Sequence, residues 1–239
     1  MEEKVAPIIN DYWMRDEFPF DVLPAMSDLG IAGTPYEGYG CLGKGTLGFL
    51  AEKMENKMAL RVVQNALITL DECRVKEEDR LQNANSFKDT VRVLRMTRVV
   101  VAWIAVGCGM GAYEHALAYA QQREQFRRPI GGFQLIQDQL TQMLGNATAC
   151  QCMVWRLSQM QDAGEMKAEH ASLAKAFCTT KTRETVGLAR EHLAGNGVLI
   201  DYNVGRFLAD AEAIHSYEGT RQINSLIVGR AITGFGAFL

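Results

Sequence analysis

The chain is short of the features that mark metal-binding, secreted or nucleic-acid-binding proteins. Its 239 residues include six cysteines but no CxxC pair, and the four histidines do not share metal-ligand spacing with them. We therefore predict neither a metal site nor a disulfide framework, and we expect scattered, buried thiols in a reducing compartment. The net charge is −3 with acids and bases mixed along the chain, which argues against a nucleic-acid partner.

Targeting and membrane signals are also weak. The start, Met1 to Lys4, does not resemble a signal peptide. The longest apolar run, Val99 to Ala112, contains three glycines and is too short to span a bilayer, so a buried helix is the better interpretation. We expect a protein of the cytoplasm or another reducing soluble compartment, without a membrane span.

The composition is that of a globular protein with its own core. Hydrophobic residues make up 48% and charged residues 22% of the chain. A chain of this length forms one large domain or two small ones and buries enough surface to fold without covalent staples.

The pattern along the chain divides it into three predicted parts. Residues 1–45 form an N-terminal helical segment, broken by Pro19 and Pro24 and followed by a glycine-rich loop at Gly30 to Gly45. Residues 46–85 contain short β-branched runs that predict strands, listed in chain order as Val62–Val63, Ala66–Leu70 and Cys73–Val75.

Residues 86–239 are predicted to be helical almost throughout. A loop with Pro129 and two glycines interrupts the pattern at Phe126 to Gly132, and Gly195-Asn196-Gly197 is a helix stop. Long helices with short connections predict an antiparallel bundle, and therefore a mostly α fold with a small β-strand remnant. The predicted helices are Val91–Gln125, Phe133–Ala163, Glu169–Leu193, Val204–Glu212 and Gln222–Ile232.

Two charged residues invite both a functional and a structural interpretation. Glu218, in Ser216-Tyr217-Glu218-Gly219-Thr220, can serve as a general base or simply favour the start of the last helix. Arg123 can pair with a pyrophosphate or be a solvated charge at a helix end. The tryptophans at 13, 103 and 155 are interpreted as core residues.

Four segments resemble the acyl-CoA dehydrogenase family, in the family's order. They are Arg123-Glu124-Gln125-Phe126 with Pro129-Ile130 and Phe133-Gln134, Leu193 to Gly197, Tyr217 to Thr220, and Gly229 to Gly234. The ending Gly-Arg-Ala-Ile-Thr-Gly and the stretch from Tyr12 to Cys41 resemble the glutaryl-CoA dehydrogenase and short-chain acyl-CoA oxidase subgroup. Near Gly43 to Leu47 the resemblance breaks, and most of the family's middle β-domain, including its T-E-P-x-x-G-S-D segment, has no counterpart.

The resemblance implies FAD-dependent α,β-dehydrogenation of an acyl-CoA, such as glutaryl-CoA or another short-chain substrate. Glu218 would be the base, and Arg98 would contact the CoA portion. It also implies a homodimer or homotetramer and a possible electron-transfer partner. The residues it assigns to FAD are Arg123, Gln125, Phe126, Ile130 and Gln134, reaching across a subunit interface, with Gly195, and with Thr220 and Gln222 from the partner site.

Departures from the family pattern leave a second hypothesis open. Arg127 and Ala194 stand where the family usually has glycine, Arg95 stands where some relatives carry an acid, and the flavin ring has no candidate residues. The chain is therefore either an FAD-dependent dehydrogenase or a shortened, catalytically impaired relative that acts as an oligomerising or partner-binding helical scaffold.

Overall fold

The computed structural model describes residues 3–24 and 48–237 and divides the chain into two compact units, Met1–Asn85 and Ser86–Leu239. The predicted glycine-rich loop at Gly30 to Gly45 lies outside the described residues.

One helix, α1 at Ala6–Arg15, opens the N-terminal unit. Pro7 suits its first turn, where the missing N–H has no partner to lose, and Asp16 ends it with a left-handed φ of 57°. The helix ends before Pro19, where the sequence pattern predicted a break. Its single fully buried side chain is Trp13, which is 7% exposed.

The carboxyl end of α1 is held by three donors from the strand region of the same unit. Arg61 donates from Nε to the carbonyl of Trp13 (2.8 Å), while Lys53 and Gln64 donate to the carbonyl of Asp16 (2.9 and 3.0 Å). Helix ends leave their last carbonyls without intrahelical partners, and cationic donors there also complement the helix dipole.

The β region is one hairpin rather than three short strands. Strand β1, Phe49–Lys53, pairs antiparallel with β2, Ala66–Leu70. Only β2 was predicted: Val62–Val63 lies in a turn and Cys73–Val75 has no regular structure. Neither of these two runs has a described strand to pair with, whereas β1 matches β2 residue for residue. Every β2 side chain is exposed.

The C-terminal unit is a bundle of five helices. Helix α2 begins after a capping box in which Asp89 accepts from the Ser86 backbone N–H (3.1 Å), four residues earlier than predicted. It ends before a hairpin of β3, Glu124–Gln125, and β4, Arg128–Pro129, a stretch that the pattern partly assigned to helix. The helices are α2 Phe87–Gln122, α3 Gln134–Asp162, α4 Ala168–His192, α5 Val204–Ser216 and α6 Arg221–Thr233.

Helix α4 is the centre of the bundle, since it contacts α2, α3, α5 and α6. Small side chains line the core and allow the helix axes to approach closely. Fully buried alanines include Ala102, Ala105, Ala112, Ala116, Ala171 and Ala189.

By length and composition alone, helix α2 could cross a membrane. The predicted apolar run, Val99 to Ala112, is only the central part of this helix and was too short to do so. Helix α2 packs against α3, α4 and α5, as the core helix of a bundle does. Trp103 is partly buried against this core and donates to Ser158 Oγ (3.0 Å). The core assignment is wrong for Trp155, which is 61% exposed on α3.

Candidate active site

Glu218 lies in the tight turn that joins α5 to α6. Its φ is 56° and that of Gly219 is 85°, so two successive residues adopt the left-handed region. Only glycine enters that region without cost, and a Cβ at Gly219 would also lie 3.3 Å from Asn224 Nδ2. The side chain that caps α6 is Thr220, whose hydroxyl accepts from the Ile223 N–H (3.4 Å). Thr220, and not Glu218, is therefore the residue whose side chain caps α6.

The Glu218 carboxylate is oriented by α2. Thr97 Oγ1 lies 2.6 Å from Oε2, close to the shortest hydroxyl–carboxylate hydrogen bonds. Among the described residues, Oε1 has no hydrogen-bond partner, which leaves one acceptor oxygen available for a proton. Glu218 as a whole residue is half-buried.

A buried arginine supports the backbone of the same residue. Arg98, 4% exposed, donates from Nε to the Glu218 carbonyl (3.3 Å) and from one Nη to Ser172 Oγ (3.4 Å). Burial lowers the pKa of Arg98, and the nearby Glu218 charge opposes that effect. Its contact with CoA stays a prediction; in this structure its described contacts are with the Glu218 turn and α4.

A fully buried lysine and asparagine hold the other side of the turn. Lys175 Nζ donates to the carbonyls of His215 (2.8 Å) and Gly219 (2.7 Å). Asn224 Nδ2 donates to the carbonyls of Gly219 (2.7 Å) and Thr220 (3.0 Å). Burial, followed by repulsion from Arg98, lowers the pKa of Lys175 to about 8, and the attraction of Glu218 acts in the opposite direction.

Sequence reasoning missed Thr97, Lys175 and Asn224. A signal for Lys175 exists, because it falls on the apolar spacing of Ala171, Ala174 and Cys178, all of which are buried. A lysine on the core stripe of a helix requires partners, and the pattern does not identify them.

The segment expected to bind the dinucleotide is an exposed hairpin. Phe126 at its tip is 86% exposed, and Phe126 and Arg127 have left-handed φ values of 51° and 67°. The base of the hairpin is closed by the Ile130 N–H, which donates to the Arg123 carbonyl (2.8 Å). Ile130 is buried, whereas the side chains of Arg123, Gln125 and Gln134 lie on the surface.

The turn after α4 contains two glycines, of which one has no room for a side chain and the other faces open space. A Cβ at Gly197 would lie 2.3 Å from the Arg190 carbonyl oxygen, whereas a Cβ at Gly195 would meet nothing within 4 Å. Asn196 donates to the Tyr119 hydroxyl (3.0 Å), which places the turn beside the carboxyl end of α2. Ala194 has a φ of 50°. Ala194 and Arg127 thus both adopt backbone conformations that favour glycine.

The predicted residues form two groups on opposite parts of α2. The hairpin and the glycine turn lie near its carboxyl end, at Tyr119 and Arg123, while Glu218 contacts Thr97 in its first half. About 25 residues of helix separate Arg98 from Arg123, a span of about 37 Å. Thr220 and Gln222 are exposed beside Glu218, in the second group. The two groups of one chain are too far apart to hold the same dinucleotide.

In the described ranges 3–24 and 48–237, no group of three His, Cys, Asp or Glu side chains is placed to hold an ion. The five cysteines in these ranges are all free thiols.

Comparison with known proteins identifies the class of this chain. Residues 87–233 match the acyl-CoA dehydrogenase C-terminal domain and residues 1–67 match the acyl-CoA dehydrogenase N-terminal domain. The chain belongs to the acyl-CoA dehydrogenase family. The missing middle domain accords with its 239 residues.

Individual relatives agree with this assignment. An acyl-CoA dehydrogenase of Bacillus subtilis (strain 168) is 32% identical over 80% of this chain and 51% of its own length. The crystal structure of a glutaryl-CoA dehydrogenase from Mycobacterium smegmatis superposes with a TM-score of 0.79 and 37% identity, covering 82% of this chain and 50% of that one. A glutaryl-CoA dehydrogenase from the same organism, solved in complex with FADH2, gives 0.80 and 28%, with coverage of 82% and 51%. The chain thus spans about half the length of these relatives.

Proposed function

We propose that this chain takes part in FAD-dependent α,β-dehydrogenation of a short-chain acyl-CoA, with Glu218 as the general base. The observation that carries the proposal is the Glu218 turn: a half-buried residue whose carboxylate has one oriented and one unpartnered oxygen, on a backbone held by Arg98, Lys175 and Asn224. A base must be held in a narrow range of position to remove a proton next to a thioester.

In the proposed reaction Glu218 Oε1 accepts the α-proton of the acyl-CoA, and the Thr97 hydroxyl keeps the carboxylate plane in place through Oε2. FAD, when bound, supplies the acceptor for the hydride that leaves the β-carbon. Glutaryl-CoA and butyryl-CoA are the substrates to try first, because the resemblance favours short acyl chains.

The exposed residues fit the dinucleotide part of FAD better than its ring. Arg123, Gln125 and Gln134 offer polar side chains on the surface, Phe126 offers an exposed aromatic face, and Gly195 leaves open space for a close approach. No described segment corresponds to the family's ring-contacting strands. We therefore expect weaker FAD binding and slower turnover than in a full-length relative.

Two subunits are required by this proposal. Because about 37 Å of helix separates the hairpin from Glu218, one chain supplies the dinucleotide side while Thr220 and Gln222 of a second copy complete the site. Exposed apolar side chains on three helices of the bundle are consistent with such an assembly. They include Val93, Val100, Leu135, Leu144, Trp155 and Leu173.

A scaffold without catalysis is the second candidate, favoured by the half-length match to relatives. In that case the bundle would assemble, while flavin and acyl-CoA would not react.

The deciding experiment combines flavin binding with reduction of the bound flavin. The purified chain is titrated with FAD, followed by fluorescence quenching, and then mixed with glutaryl-CoA or butyryl-CoA in a stopped-flow instrument. The Bacillus subtilis relative serves as the full-length comparator. We expect measurable but weaker binding and slow bleaching. A protein that retains no flavin after excess FAD is removed supports the scaffold, and light scattering that shows only a monomer removes the two-subunit site.

A further inference from the structure

We propose that Lys175 is a positioning residue: its buried side chain bridges the carbonyls on both sides of Glu218 and fixes the strained turn that presents the carboxylate. The inference rests on the proposed role of Glu218 as the base. Lys175 lies on α4 and touches neither the carboxylate nor, in our proposal, the substrate.

The geometry of the bridge encloses the base. Lys175 Nζ binds the His215 carbonyl, in the last turn of α5, and the Gly219 carbonyl, one residue after Glu218. The three residues between these carbonyls, 216–218, are therefore closed into a loop whose ends share one ammonium group. Because the His215 carbonyl lies at a helix end, a cation there is also favoured by the helix dipole.

The turn needs such a bridge because its backbone is strained. Glu218 is not a glycine, yet its φ is 56°, a conformation that L-residues adopt only when surrounding contacts impose it. Lys175 and Asn224 both donate to the Gly219 carbonyl, and Arg98 donates to that of Glu218. Of these donors, Lys175 is the one that joins the turn to α5.

The charges around Lys175 are few, and the two largest oppose each other. Arg98 of α2 repels it, Glu218 of the turn attracts it, and the His215 ring of α5 is occupied by Thr179 Oγ1 at 3.1 Å. From α6 the contacting side chain is Asn224, which is uncharged. Burial in this environment lowers the pKa of Lys175 to about 8. Its hydrogen bonds go to backbone carbonyls and not to an acidic side chain.

A general stabilising role for Lys175 would affect the whole bundle, whereas the positioning role predicts a local effect. Amide hydrogen exchange distinguishes them, since the Tyr217 N–H (to Ala213, 3.0 Å) and the Asn224 N–H (to Thr220, 3.0 Å) report on the two helix ends that flank Glu218. This readout requires neither flavin nor substrate.

The experiment compares Lys175→Met with Lys181→Met, an otherwise matched change on the same helix at a residue that pairs with Glu184 away from the turn. We expect Lys175→Met to speed exchange at Tyr217 and Asn224 by about tenfold, the loss associated with one to two hydrogen bonds, with amides in the centre of α2 unchanged. Lys175→Arg, which keeps a cationic donor, should recover part of the protection. Lys181→Met should leave both amides as in the unmodified chain.

A second measurement covers the case in which Lys175→Met does not fold. In the unmodified chain, the carbonyl ¹³C resonances of His215 and Gly219 should shift together with a midpoint near the Lys175 pKa of about 8. Unchanged carbonyl shifts across that range, or uniform acceleration of exchange throughout the bundle, would overturn the positioning role. Local acceleration in a chain that never oxidises acyl-CoA would keep the positioning role and reject the proposed function. If the unmodified chain oxidises acyl-CoA but Lys175→Met leaves exchange at Tyr217 and Asn224 unchanged, the proposed function is kept and the positioning role is rejected.

Discussion

The Glu218 turn and the hairpin at Glu124 to Pro129 both contain non-glycine residues in left-handed conformations, yet their surroundings differ. Glu218, with a φ of 56°, is held by buried donors from α2, α4 and α6. Arg127, with a φ of 67°, lies on an exposed hairpin next to a phenylalanine that is 86% exposed. Buried contacts impose the backbone strain at Glu218, and such strain is consistent with the fixed position that its proposed role as the base requires. The strained hairpin at Glu124 to Pro129 is exposed, which is consistent with the proposal that a cofactor or a second subunit completes its contacts.

The largest effect is expected at the carboxylate. Glu218→Gln keeps the size of the side chain and a group that can accept from Thr97, but it removes the carboxylate that we propose as the base. We expect flavin bleaching by acyl-CoA to slow by about 10²–10⁴-fold, with FAD affinity unchanged. The measurement is stopped-flow absorbance, with Glu212→Gln as the control, a half-buried α5 residue that pairs with Arg183. Bleaching at the normal rate would remove Glu218 from the mechanism.

A smaller effect separates structure from binding in the glycine turn. Gly197→Ala places a methyl group 2.3 Å from the Arg190 carbonyl, so the backbone must shift, and we expect about 1–3 kcal/mol of lost stability in urea unfolding. Gly195→Ala meets open space, and its stability should change by less than about 0.5 kcal/mol.

The same pair tests whether the turn contacts FAD. Gly195→Ala should weaken FAD binding although it leaves the fold intact, because the added methyl group occupies the proposed approach of the cofactor. Equal FAD affinity for this variant and the unmodified chain would place the cofactor elsewhere.

The smallest effect concerns Ala194, which has a φ of 50°. Ala194→Gly relieves the left-handed strain but adds freedom to the unfolded chain, so we expect a gain of less than about 1 kcal/mol. Ala163, also exposed but with a φ of −76°, is the matched control, and Ala163→Gly should destabilise the protein slightly. If Ala194→Gly and Ala163→Gly shift stability in the same direction, the backbone strain assigned to Ala194 is wrong.

Much of the bundle could be predicted because its signals are local. Apolar periodicity located all five helices, and their starts and ends lie within about four residues of the prediction, as boundary signals allow. The hairpin of β1 and β2 was harder, since each β2 residue pairs with a β1 residue that lies 13 to 21 positions earlier, and only β2 had a strong pattern. The first helix of the chain was predicted only as one of several short pieces. Its end at Asp16, whose carbonyl accepts from Lys53 and Gln64, was not located.

The sequence by itself determined the family, the helical class and the identity of Glu218 as the residue to test, because these follow from spacing and from short motifs. Only the tertiary structure decided what holds Glu218 in place. Thr97, Arg98, Lys175 and Asn224 come from three helices and lie up to 121 positions from the carboxylate in sequence, so no local pattern connects them. The separation of the hairpin from Glu218 is likewise a consequence of the length of α2, a rigid element that keeps its two ends about 37 Å apart.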